Sequence, residues 1–81
     1  MDFPLLIFSI DREIFVGHAK SLALPSVTGQ IQVLADHAPL ISLLKEGDMV
    51  IEDESGKQQK IPIASGVVEV TPQEVTALVN F

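Results

Sequence analysis

The stretch Leu24–Leu44, LPSVTGQIQVLADHAPLISLL, decides how the chain is read. Pro25, Ser26, Thr28 and Gly29 are turn-forming types: proline presets φ, the hydroxyls bond back to nearby backbone, and glycine allows φ > 0. The next residues, Gln30-Ile31-Gln32-Val33-Leu34, alternate polar and apolar, as a strand with one wet face and one buried face does. No helix runs through Asp36-His37-Ala38-Pro39, because Pro39 lacks an N–H and pushes Ala38 out of the helical region. Leu40-Ile41-Ser42-Leu43-Leu44 forms a second apolar run, closed by the turn signal Lys45-Glu46-Gly47-Asp48.

Outward from this stretch the same grammar repeats. Pro4 to Ile10 is a β-rich run that pauses at Asp11-Arg12; Ile14-Phe15-Val16 resumes it, and Gly17 suggests a bulge or bend. His18 to Leu24 is read as a further short strand ended by Pro25. Met49-Val50-Ile51-Glu52 leads into a turn with Ser55-Gly56 at its tip, and Gln58 to Ile63 returns. Pro62 cannot donate a ladder hydrogen bond, which makes this an edge strand or a strand end. Ser65-Gly66 is read as a turn, Val67 to Val70 as a strand, Thr71-Pro72-Gln73-Glu74 as a turn, and Val75 to Phe81 as the closing run. The pattern predicts an all-β protein: a compact sandwich or flattened barrel of about 8–10 short, mostly antiparallel strands.

Composition narrows the function. A chain of 81 residues allows one domain, and with no cysteine its stability rests on packing or on a partner. Eleven acidic residues against five basic ones give a net charge of −6, which disfavours a nucleic-acid partner. The first eight residues are apolar but lack the positive region of a secretory signal and are too short to span a bilayer, so the expectation is an unexported soluble chain. Hydrophobic residues make up 47% of the sequence, more than a small two-layer domain buries efficiently. An exposed apolar patch is therefore expected, and it would mark a partner site.

Catalytic chemistry finds no foothold. The serines lack a nucleophile-elbow context, and Asp36 beside His37 would point to the opposite face of an extended chain. His18 and His37 form no metal-ligand spacing, and Gly29 and Gly56 stand alone rather than in a phosphate loop. No catalytic residue, metal site, cofactor or small-molecule substrate is assigned.

Three ordered motifs carry a resemblance. Phe8 to Gly17, with Phe15-Val16-Gly17 ending a hairpin; Gly29 through His37-Ala38-Pro39-Leu40 to Lys45-Glu46-Gly47; and Gly66-Val67-Val68-Glu69-Val70 followed by Val75-Thr76-Ala77-Leu78 together resemble the amino-terminal domain of the epsilon subunit of F-type ATP synthases, called delta in mitochondria. The match spans nearly the whole chain, so residues 1–81 are read as one epsilon-type β-sandwich domain. There are departures: Gln32 stands where the family usually has a second glycine, Ala35-Asp36 where it has Pro-Gly, and Gln30 where it often has an acidic residue.

The resemblance implies a non-catalytic rotor part of the central stalk, clamping gamma to the membrane ring of c subunits so that ion translocation is coupled to ATP synthesis. It places Ser9, His37 and Ser42 on or near the gamma-facing side and Gln30 and Ile31 at the c-ring. Gly29, Pro39 and Gly66 are expected to shape turns. The chain would then be peripheral to the membrane through the complex alone, on the cytoplasmic face of a bacterial inner membrane or at the organellar equivalent. In the family, nucleotide binding and the brake on hydrolysis belong to a helical carboxy-terminal domain that would follow Phe81; the 81 residues are either a naturally short subunit or a fragment, and the expectation for them as given is coupling without that brake. The rival reading is a free-standing interaction module, an acidic β-sandwich or barrel that binds a peptide or carbohydrate by an exposed strand or loop.

Overall fold

A computed structural model describes all residues, 1–81. The chain forms eight strands and no helix: β1 (Phe3–Phe8), β2 (Glu13–Ser26), β3 (Gly29–Leu34), β4 (Leu40–Leu44), β5 (Gly47–Asp53), β6 (Gln58–Ile63), β7 (Ser65–Val70) and β8 (Val75–Asn80). All pairings are antiparallel except β1 with β8, where the first and last strands run side by side in parallel. The expected all-β, mostly antiparallel sandwich is the architecture found.

The long β2 joins the two layers. Its first half pairs with β1 from Glu13 to Ala19, its second half with β3 from Ser21 to Ser26, and its other edge takes β5 between Ala19 and Ala23. One layer is therefore β2-β1-β8-β7-β4, and the other is β3-β2-β5-β6. The first layer closes on itself where Ser26 meets Leu44. A strand that changes sheets needs a local irregularity, and β2 has two: the β1 register shifts around Ile14 and the β5 register shifts at Lys20.

That geometry corrects three expectations. Gly17 is not a bulge; it sits in regular register opposite Leu5. His18 to Leu24 is not a separate strand but the middle of β2. The residue added at Lys20 changes the inward parity, so that Ala19 and Leu22, three apart, both reach the core. Pro25 does not end the strand either. Pairing with β5 has already stopped at Ala23, so nothing needs an N–H from Pro25, and its carbonyl accepts from Lys45 N at 2.8 Å.

Pro62 lies, as expected, on an edge strand, β6. Gly66, by contrast, is a strand residue rather than a turn: it pairs with Leu44 on one side and Val79 on the other. Glycine is needed there for close approach, because a Cβ would stand 2.6 Å from the Leu78 carbonyl oxygen.

Between the layers lies one core of 17 apolar side chains. Period 2 fills it: Phe3, Leu5 and Ile7 from β1, Met49 and Ile51 from β5, Ile61 and Ile63 from β6, and Val75, Ala77 and Val79 from β8. Complete burial of a Leu or Ile side chain contributes about 1.5–3 kcal/mol, so these alternating positions are the main source of stability. The one buried polar side chain, Ser26, has its hydroxyl 2.7 Å from that of Ser42 and 3.1 Å from that of Thr28.

Candidate partner-binding site

In strands the side chains alternate, so the outer faces follow directly from the inner ones. The outer face of the β3-β2-β5-β6 layer is mostly polar: Gln32, Ala23, Val50 and Lys60 form one row, and Leu34, Ser21, Glu52 and Gln58 the next. The outer face of the other layer is not. Register places Phe8, Leu78, Val67 and Leu43 side by side across four strands, and beside them Val16, Leu6, Thr76, Glu69 and Ile41 across five.

Seven of those nine side chains are apolar, and several are open to solvent: Ile41 is 71% exposed, Leu43 62% and Leu78 50%. The patch continues past the strand ends onto Ile10, 92% exposed, Val27 and Phe81, over whose ring the Arg12 guanidinium sits 5.5 Å from the centroid. Leaving such side chains wet forgoes the burial free energy of each, and a contiguous apolar area of this kind marks an interface.

The residues singled out from the sequence are distributed around this face rather than gathered on it. Ser9 follows Phe8 at one end of the sheet, in a turn where its N–H donates to Arg12 O at 2.8 Å and its hydroxyl to Asp11 Oδ1 at 2.9 Å. His37 lies at the opposite end, in the corner that leads to Leu40, which pairs with Val70. There its N–H donates to Leu34 O, and Nδ1–H donates to Ala38 O at 2.8 Å. Its hydrogen bonds go to backbone and none goes to the Asp36 carboxylate. The half-buried His37 ring borders a cleft with Phe3, Val33, Gln73 and Glu74.

Ser42 lies on β4 but turns inward, its hydroxyl spent on Ser26 and the Leu43 carbonyl. Its chain neighbours Ile41 and Leu43 face out in its place.

Gln30 and Ile31 open β3. Gln30 is exposed on the polar layer beside Pro25, Lys45, Asp48 and Lys60, whereas Ile31 packs against the core. Gly29 takes φ +123°, a backbone conformation side chains disfavour, and so allows the two-residue turn Val27-Thr28. The corner before Pro39 uses a different device: Asp36 adopts φ +67°, a conformation that Asp tolerates better than most residues.

The β2–β3 turn abuts the apolar face. Val27 N donates to Leu43 O at 3.0 Å, and Thr28 N donates to the Ser26 hydroxyl at 3.2 Å. The polar hairpin that carries Gln30 and the apolar sheet that carries Leu43 are thus fastened to each other through Ser26, Thr28 and Ser42.

The apolar rows are the part of the site that sequence reasoning did not name by residue. Their signal is present in the adjacent apolar pairs Leu40-Ile41, Leu43-Leu44 and Val67-Val68. An antiparallel strand with a wet outer face alternates, while one covered on both faces does not.

The model of the ATP synthase delta/epsilon chain β-sandwich domain matches residues 2–81. The chain belongs to the ATP synthase delta/epsilon family. Two solved assemblies contain chains of the same fold. One is the Euglena gracilis mitochondrial ATP synthase, with a TM-score of 0.86 at 22% identity, covering 98% of this chain and 49% of that one. The other is the central stalk and c-ring of the Tetrahymena thermophila mitochondrial ATP synthase, with a TM-score of 0.81 at 9% identity, covering 100% and 65%. This delta/epsilon sandwich therefore spans about half the length of the first chain and two-thirds of the second.

Proposed function

We propose that the chain is a central-stalk rotor subunit that holds gamma to the c-ring and so couples ion translocation to ATP synthesis, without catalysing any step itself. The observation that carries this reading is the exposed apolar face of β1, β8, β7 and β4 adjoining the β2–β3 hairpin. A subunit that passes torque between two bodies needs two contact patches on one stiff frame. In this reading the bodies are gamma, on the apolar face, and the polar loops of the c-ring, at Gln30; membership of the delta/epsilon family supports it.

Each patch suits its partner. Apolar surface packs on a permanent neighbour at about 25 cal/mol per Å2 of area removed from water, which suits a subunit that stays attached through rotation. Glutamine at position 30 offers a donor and an acceptor to a polar loop, without the charge assistance a carboxylate would add. The frame is stiff because 39 backbone hydrogen bonds tie its strands to one another. Membrane association is peripheral and runs through the complex, at a bacterial inner membrane or its organellar equivalent.

The test is capture of the gamma subunit of the same organism, with single cysteines at Leu43 and His37 for crosslinking. A one-to-one complex crosslinked from Leu43, and lost in Leu43→Asp, is the expected result. Absence of gamma binding by the folded chain would leave the free-standing interaction module as the account.

A further inference from the structure

Glu69 has no use inside the molecule. It stands on β7, between β8 and β4, in the middle of the apolar face, with Thr76 opposite on one side and Ile41 on the other. Its side chain makes no hydrogen bond, and the single ion pair in the structure is His18 with Asp2 at 3.2 Å. Glutamate is among the residues that strands disfavour, and Val or Thr would suit this central position better and complete the apolar row. The other charged groups sit at the border of the face: Glu13 and Arg12 beyond Phe8, where Arg12 is taken up with Phe81, and Glu74, whose carboxylate accepts from the Thr76 hydroxyl at 3.4 Å.

We infer that Glu69 is the specificity determinant of this face: the partner surface that covers it carries a basic side chain, opposite Glu69 and ringed by apolar contacts. The inference rests on the reading of this face as the gamma interface and adds the chemistry of what meets it. Once a partner lies against Ile41, Leu43, Val67 and Leu78, water leaves Glu69, and a carboxylate buried without a partner carries a heavy desolvation cost. An arginine answers both oxygens at once through its planar fork, and the surrounding apolar residues exclude the water that would compete. Of all the charges on this acidic chain, this one alone lies within the apolar face, so it fixes which partner and which register are accepted.

The experiment measures the affinity of the gamma subunit of the same organism for the chain and for its Glu69→Gln, Glu69→Lys and Leu43→Asp variants, with the thermal midpoint of each free variant recorded. The expectation is that Glu69→Gln weakens binding about 30-fold or more by leaving the partner's cation unpaired. Glu69→Lys weakens it further, and one Arg→Glu or Lys→Glu change in gamma restores binding to Glu69→Lys. The thermal midpoints of the Glu69 variants stay within about 2 °C of the parent, because an exposed, unbonded side chain contributes little to stability. Unchanged affinity in Glu69→Gln alongside lost binding in Leu43→Asp would overturn the pairing and leave the face reading intact; unaltered binding in Leu43→Asp would overturn both. A large drop in the midpoint of free Glu69→Gln would mean that the carboxylate serves the fold, and would also overturn the inference.

Discussion

Replacing Gly66 by alanine tests how closely the strands of the β2-β1-β8-β7-β4 layer approach. Gly66 faces Leu44 across one edge of β7 and Val79 across the other. A Cβ added there would stand 2.6 Å from Leu78 O, and 3.2 Å from both Val79 Cα and Val79 Cγ1. The first contact is with backbone, so no rotamer change relieves it, and β7 and β8 must move apart while their ladder persists. Overpacking of this kind costs about 1–3 kcal/mol. For a domain of this size, about 2 kcal/mol lowers the thermal midpoint by roughly 8–16 °C. The assay is thermal unfolding followed by circular dichroism, with Gly17→Ala as the internal control. At Gly17 an added Cβ would meet only the Phe15 ring at 3.5 Å, an ordinary contact, so that variant should match or slightly exceed the parent. A Gly66→Ala midpoint within about 2 °C of the parent would refute the close-approach argument.

Other consequences follow from single contacts. The Asp53 carboxylate is held below its ordinary pKa, chiefly by the Ser55 hydroxyl and then by the backbone amides of Lys57 and Ser55 and the Lys57 charge, against opposing desolvation. Its stabilising effect is thus complete above the unfolded aspartate value of about 3.9 and is lost as pH falls through the lower folded value; denaturant titrations between pH 5 and 3 should show a steeper loss for the parent than for Asp53→Asn. Ser26→Ala should cost about 1 kcal/mol, and a double-mutant cycle with Ser42→Ala should show a coupling of at least about 0.5 kcal/mol; additive effects would mean that the 2.7 Å contact contributes nothing. At Asp36, where φ is +67°, Asp36→Val should lie about 1 kcal/mol or more below Asp36→Gly in denaturant unfolding, since a β-branched residue bears the full left-handed penalty.

The parts of the fold that were legible were those that follow from period 2 and from turn chemistry. Alternation in Gln30 to Leu34 marked β3, Ser55-Gly56 marked the β5–β6 turn, and Pro62 marked the edge. What was not legible depended on pairing between distant strands. Nothing local to His18–Ser26 says that β2 continues past Pro25, because the tolerance of that proline comes from Lys45 and from where β5 stops pairing. Gly66 reads as a turn by residue type, and only the approach of β8 shows it to be a strand position.

The site divides in the same way. The apolar excess of the composition pointed to an exposed apolar face, which the structure has, and the family motifs pointed to the corner at His37 and the hairpin at Gln30 as candidate contacts. Which side chains form the surface is a matter of register: Ser42 looks available in the sequence, yet it turns toward Ser26, a residue 16 positions away, while Ile41 and Leu43 take the outer face. Asp36 holds a left-handed conformation at a position where the family resemblance has glycine, so the corner is kept by a different residue type.

The central claim is that the β1-β8-β7-β4 face seats gamma. Hydrogen exchange of the chain alone and in complex with the gamma subunit of the same organism tests it most directly, read at amides flanking Ile41, Leu43, Val67 and Leu78 against those of the polar β5-β6 layer. The account predicts slowed exchange confined to the apolar face and the adjoining β2–β3 turn. Protection on the β5-β6 layer with the apolar face unchanged would contradict it.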